Sequence, residues 1–97
     1  MKTVSFVIVT YNSEAIIEQC LASIMNQNYP KDKIEVIVVD GGSTDSTIKI
    51  ANRYRAKVLF ENTGRPESAT AIGIAHANGE LIANVASDNV LPNSNWL

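Results

Sequence analysis

Four short apolar runs, Val4 to Val9, Ile34 to Val39, Lys57 to Phe60 and Leu81 to Val85, alternate along the chain with stretches whose apolar residues recur at helical spacing. The first two runs, rich in β-branched residues and without strict polar alternation, suit strands buried on both faces, and the other two read as a short third strand and a fourth. Between the first two runs, Ile16, Ile17, Cys20, Leu21 and Ile24 mark one face of a helix, with Asn12 or Ser13 placed to cap it and "NQNYP" placed to stop it. Ile48, Ala51 and Tyr54 mark a second helix, and a third is expected from about Glu67 to Asn78-Gly79, where glycine can take the left-handed conformation that closes a last turn. Three strand-helix-strand units in succession require a parallel sheet with right-handed crossovers, because parallel neighbours cannot be joined by a tight turn. The fold class is therefore α/β, a mostly parallel sheet of about four strands flanked by helices.

In open parallel sheets, ligands bind beyond the carboxyl ends of the strands. The residues following the four runs are Thr10-Tyr11-Asn12, Asp40-Gly41-Gly42-Ser43, Glu61-Asn62 and Ser87-Asp88-Asn89, and they are expected along one edge as a polar rim. No glycine follows the first strand, so a dinucleotide fingerprint is absent, and no phosphate-loop motif occurs. Asp40 suits either of two roles: accepting hydrogen bonds from a ribose or base edge, or closing an Asx-type turn before the next helix. Asp88 is either a solvated loop acid or an oxygen ligand for Mg²⁺ or Mn²⁺, which complete their shells with phosphates and water. Tyr11 is open to base stacking or to packing.

The chain has 97 residues, enough for one domain with a modest core. Its net charge of −2 and lack of a Lys/Arg run give no electrostatic footprint for nucleic acid or an anionic membrane. The single cysteine, Cys20, lies on the apolar face of the first helix and reads as a small core residue, which favours a reducing compartment. The amino-terminal apolar run is too short for a signal peptide or a membrane span. A cytoplasmic location is expected, at the cytoplasmic face of a membrane if a longer parent carries a span elsewhere.

The segments "VSFVIVTYNSEAIIEQCLASIMNQNYP", "IEVIVVDGGSTDST", "ANGELIA" and "SDNVLPNSNWL", in that order and spacing, resemble the nucleotide-binding half of the family 2 glycosyltransferases of the GT-A fold. The resemblance covers residues 1–97 and implies a three-layer, Rossmann-like fragment that binds a nucleoside diphosphate sugar, commonly a UDP-sugar. It places Thr10, Tyr11 and Asp40 against the nucleoside. It also places the family's D-x-D motif at Ala86-Ser87-Asp88, with Ser87 beside the nucleotide and Asp88 facing a divalent metal, Mg²⁺ or Mn²⁺. The first acid of that motif is absent here. So is the arginine of an A-R-N-x-G segment, which reads Ala69-Thr70-Ala71-Ile72-Gly73, while Arg65 lies close by. Gly41 stands where many relatives carry a second acid.

The implied chemistry is sugar transfer with inversion, in which negative charge on the departing diphosphate is stabilised electrostatically and a carboxylate takes the acceptor's proton. That general base is expected beyond Leu97, in an acceptor-binding half. Glu61, Glu67 and His76 are not strong candidates for it, and the chain alone is expected not to transfer sugar. The alternatives are a non-catalytic nucleotide-sugar-binding or scaffold module and, more weakly, a methyltransferase-like domain. A sheet ending at this point exposes an edge strand, so self-association is also expected.

Overall fold

The computed structural model describes all 97 residues, Met1 to Leu97. The chain runs β1 (Val4–Thr10), α1 (Ile17–Met25), β2 (Ile34–Asp40), α2 (Thr47–Arg53), β3 (Lys57–Phe60), α3 (Pro66–His76) and β4 (Leu81–Ala86), with one 3-10 turn at Lys31–Lys33. The four strands form one sheet in the order β3-β2-β1-β4, every pair parallel. The parallel α/β architecture read from the alternation is thus the architecture of the molecule. β1 is central, and the strand order reverses there, with β2 on one side and β4 on the other.

Alternation along the strands divides the core into two layers. Val4, Phe6, Ile8, Val36, Val38 and Val85 face α1 and α2, where they pack with Ile17, Cys20, Leu21, Ile24, Ile50 and Ala51. Ile37 and Val39 face the other way with Val9 and meet Ala69 and Ile72 of α3. Helices therefore cover both faces of the sheet. α3 approaches closely because position 73 is glycine: a Cβ there would lie 2.3 Å from Val7 Cγ1 and 3.2 Å from Val39 Cγ2. β4 is an edge strand and leaves Leu81 and Ile82 exposed.

Three local expectations fail in whole or in part, each for a legible reason. α1 begins at Ile17 without a side-chain cap. Ser13 instead spends its hydroxyl on Tyr11, while its carbonyl accepts from the Ile16 and Ile17 N–H groups. Asn12 adopts a positive φ of 46°, which turns it toward the next loop. On α2 the expected Ile48-Ala51-Tyr54 face holds at Ala51, which is buried, and at Tyr54, which packs against the core from a half-buried position, but Thr47 and Ile50 take the inward place expected of Ile48, Thr47 being drawn in to hydrogen bond Ser13 N and Asp45. α3 ends at His76, followed by extended Ala77, and Gly79 has no positive φ. Glycine is needed at 79 because a Cβ there would lie 2.6 Å from Ser5 N and 2.7 Å from Ser5 Oγ. The Asn78-Gly79 pair docks onto β1 and Glu35 rather than closing a helix, with Gly79 N donating to Ser5 Oγ and Asn78 N to Glu35 Oε1.

Candidate functional site

β1 and β2 each run one residue further than their apolar runs, so Thr10 and Asp40 are strand residues paired across the ladder. Thr10 Oγ1 donates to Asp40 Oδ1 at 2.7 Å, and Ser43 Oγ donates to the same oxygen at 2.6 Å. Asp40 Oδ2 accepts from the N–H groups of Gly42 and Ser43 at 2.9 and 2.7 Å. These four bonds use the acceptor capacity of a carboxylate, and Asp40 is 0% exposed. Burial pushes its pKa up, but the bonds from Ser43, Thr10 and Gly42 outweigh it and hold the carboxyl below its ordinary value. The ionised form is thereby fixed at the end of β2, closing a turn in which Gly42 takes a φ of +98°.

The loops after β1 and β2 are fastened into one body. Asn12 N donates to Ser43 Oγ and Thr44 N to Asn12 Oδ1, while Ser13 N donates to Thr47 Oγ1. Glu14 N donates to Asp45 Oδ2, and Ser46 N returns a bond to Glu14 Oε2. Asp45 Oδ1 accepts from Thr47 N at the start of α2. Ser43 serves Asp40. Tyr11, held at the crest of this clasp, is 64% exposed with its ring edge over Gly41: a Cβ at 41 would sit 3.6 Å from Tyr11 Cδ1.

Beside Tyr11 opens a cleft of about 490 Å³ at the carboxyl ends of β1, β2 and β3 and the start of α3. That volume is in the range of small-molecule sites. Thr10, Tyr11 and Gly41 form one wall, and the loop from Glu61 to Pro66 forms the other, with Ala69 at its base. Glu61 is buried, its Oε1 accepting from Thr63 N. Bonds from Thr63, and to a lesser extent Ser68 and the charge of Arg65, hold its carboxyl below the ordinary value against burial. Gly64, with a φ of +74°, turns the loop so that Arg65 borders the cleft immediately before α3. The cleft thus brings together Thr10 and Tyr11 and adds Arg65, with Asp40 holding its floor from behind.

Ser87 and Asp88 lie outside the cleft wall, past the end of β4. β2 and β4 flank β1, so their carboxyl ends stand about 10 Å apart, two strand spacings, with Thr10 between them. Ala86 to Asn89 form a turn closed by Asn89 N donating to Ala86 O, which leaves Asp88 exposed at its tip. No group of three potential metal-ligating side chains exists in the chain. One exposed carboxylate does not make a resident metal centre. It does suit a hard cation that brings most of its oxygen ligands from a diphosphate and water. Beneath the turn, Cys20 Sγ lies 3.7 Å from Ala86 O, and burial, then the charge of Asp88, pushes its thiol up to about 11. His76 is on the exposed surface of α3, remote from the cleft lining.

A doubly covered parallel sheet with a polar cleft beyond its carboxyl edge defines a ligand-binding α/β domain of the nucleotide-binding type. Residues 5–97 match the profile of glycosyl transferase family 2. The chain belongs to that family. It is 42% identical over 95 residues to the poly(ribitol-phosphate) beta-glucosyltransferase of Bacillus spizizenii, covering 91% of this chain and 15% of that protein. It is 37% identical over 97 residues to the poly(ribitol-phosphate) beta-N-acetylglucosaminyltransferase TarS of Staphylococcus aureus, covering 94% of this chain and 17% of that one. Among solved structures, S. aureus TarS in complex with UDP superposes with a TM-score of 0.89 at 36% identity, over 96% of this chain and 29% of TarS. A Pyrobaculum calidifontis mannosyltransferase in complex with GDP-Man and Mn²⁺ superposes with a TM-score of 0.87 at 31% identity, over 96% of this chain and 29% of that one. The fold is accordingly that of the GT-A glycosyltransferases, and these 97 residues span only a fraction of their length.

No helix is long and apolar enough to cross a membrane. Sequence reasoning named Thr10, Tyr11, Asp40, Ser87 and Asp88. It missed the two-loop clasp, because bonds such as Ser13 to Thr47 and Asn12 to Ser43 join residues more than thirty positions apart and leave no periodic trace.

Proposed function

We propose that residues 1–97 are the donor-binding half of a metal-assisted, inverting glycosyltransferase that takes a nucleoside diphosphate sugar. The observation that carries this reading is the cleft beside Tyr11, at the carboxyl ends of β1, β2 and β3 in a family 2 fold. Relatives solved with UDP and with GDP-Man and Mn²⁺ support it. The nucleoside lies against Tyr11 and Gly41, its position set by Thr10 and by the turn that Asp40 closes. The diphosphate extends past Ser87 toward Asp88. Rupture of the anomeric bond leaves the electron pair on the departing diphosphate, and Arg65 supplies positive charge at the cleft wall in place of the arginine replaced by Thr70. Asp88 would be the residue of this chain that holds Mg²⁺ or Mn²⁺, and a cation bound there would supply further neutralisation of leaving-group charge. The acceptor hydroxyl gives its proton to a carboxylate of the acceptor-binding half, outside these residues.

A second reading, a non-catalytic nucleotide-sugar-binding module, is favoured by Ala86 and Thr70, which remove one acid and one arginine from the expected set. Calorimetric titration of UDP with and without Mn²⁺ separates the two. The glycosyltransferase reading expects binding that Mn²⁺ strengthens at least tenfold, with Asp88→Ala abolishing the enhancement and leaving metal-free binding intact. Binding indifferent to Mn²⁺ selects the non-catalytic module, and no binding at all refutes both.

A further inference from the structure

Gln27 follows α1 at a position with no role in the cleft, yet its side chain is 2% exposed and fully committed. Its Nε2 donates to Asn93 O at 2.7 Å and to Ser23 O at 3.2 Å, and its Oε1 accepts from Leu97 N at 3.0 Å. Two donors and one acceptor of a buried amide are thus satisfied, mostly by backbone groups nearly seventy residues away. The neighbouring groups do the same: Ser23 Oγ accepts from Leu91 N at 3.0 Å, and Asn28 N donates to Ser94 O at 2.6 Å. Trp96 closes the arrangement, its ring centroid 6.1 Å from that of Phe6 at the edge of the core.

The segment following the Asp88 turn is therefore fastened to α1, and the strand preceding the turn is fixed in the sheet. The turn itself has one backbone bond, from Asn89 N to Ala86 O, so its geometry depends on where its two ends are held. We propose that Gln27 is a positioning residue for Asp88: by clamping residues 93 and 97 it orders the Ala86–Asn89 turn and fixes the direction in which the carboxylate is presented. The metal-binding consequence rests on the function proposed above, whereas the ordering of the turn does not.

Gln27→Met keeps the side-chain length and removes all three bonds. Its effect is read by ¹⁵N relaxation at Asp88 and Asn89, together with UDP titration with and without Mn²⁺. The expected result is a fall of the order parameters at these two residues from about 0.85 to below about 0.6, with those of β1 and β2 unchanged and metal-free UDP affinity retained. Any Mn²⁺ enhancement present in the wild type should drop at least tenfold. Unchanged order parameters at 88 and 89 overturn the proposal, whatever the metal does. Disorder at the turn in a protein whose wild type shows no Mn²⁺ enhancement supports the clamp and refutes the metal-assisted reading instead. Should Gln27→Met fail to fold, Trp96→Ala releases the same segment from its half-exposed end, and the same two outcomes decide.

Discussion

At the residue scale, Asp40 shows how a side chain can shape a ligand site without facing it. Its carboxylate receives Thr10, Gly42 and two bonds from Ser43, and Thr10 has no water to turn to because it is 1% exposed. Asp40→Ala leaves that hydroxyl unpaired and opens the turn, so a loss of about 2–4 kcal/mol in urea unfolding is expected, along with weakened metal-free UDP binding. Asp40→Asn is different. Its amide can donate to the Thr10 and Ser43 hydroxyls while its oxygen keeps the two N–H bonds, so a loss of about 1 kcal/mol and near-native UDP affinity are expected. Equal loss of UDP affinity in the two variants would show instead that the carboxylate itself touches the nucleoside. The sequence made Asp40 visible as an acid ending an apolar run, and both roles, ligand contact and turn closure, fitted it. What sequence could not carry was the count of donors converging on it, since Thr10 comes from another strand.

At the element scale, the alternation of apolar runs and helical faces determined the sheet, and strand boundaries missed by a single residue because Thr10, Asp40 and Ala86 are polar or small yet still pair in the ladder. The positions that failed were those where a tertiary partner outbid a local rule. Thr47 turned inward for Ser13, and Gly79 met β1 instead of ending a helix; Ser13 is the exception, its hydroxyl taken by Tyr11 two residues away. Gly73 belongs with Thr47 and Gly79, since its requirement comes from two strands. Gly73→Ala should gain about 1 kcal/mol of helix propensity. It must also displace Val7, a β-branched side chain that is 0% exposed and has nowhere to rotate. Overpacking of this kind costs about 1–3 kcal/mol, so the net expectation is a destabilisation in thermal unfolding. Because α3 carries one wall of the cleft at its start, the shift should also weaken UDP binding. A variant more stable than wild type would mean that α3 does not sit against Val7.

At the scale of the whole molecule, both the clasp and the strand amino ends are held by carboxylates in their ionised form. Burial opposes the charge on Asp40, Asp45 and Glu35, and hydrogen bonds overcome it: from Ser43, Thr10 and Gly42 on Asp40, from Thr47 and Glu14 on Asp45, and from Asn78 and Ser5 on Glu35. All three carboxyls therefore lie below their ordinary values. The unfolded chain, whose carboxyls titrate near pH 4, then binds more protons than the folded one in the acid window, and stability must rise with pH across it. The contribution is complete above the unfolded values and is lost as pH falls through the folded ones. Thermal unfolding should give a midpoint that is flat between about pH 7 and pH 5 and declines steeply below about pH 4. Asp40→Asn, which cannot titrate at that position, should start lower and show a shallower acid limb. Because Asp40 and Asp45 hold the loops that carry Tyr11, UDP affinity should fall over the same range and ahead of global unfolding, whereas Glu35, at the opposite end of the strands, should affect stability alone. An acid limb identical in wild type and Asp40→Asn would show that the turn after β2 does not depend on its charge.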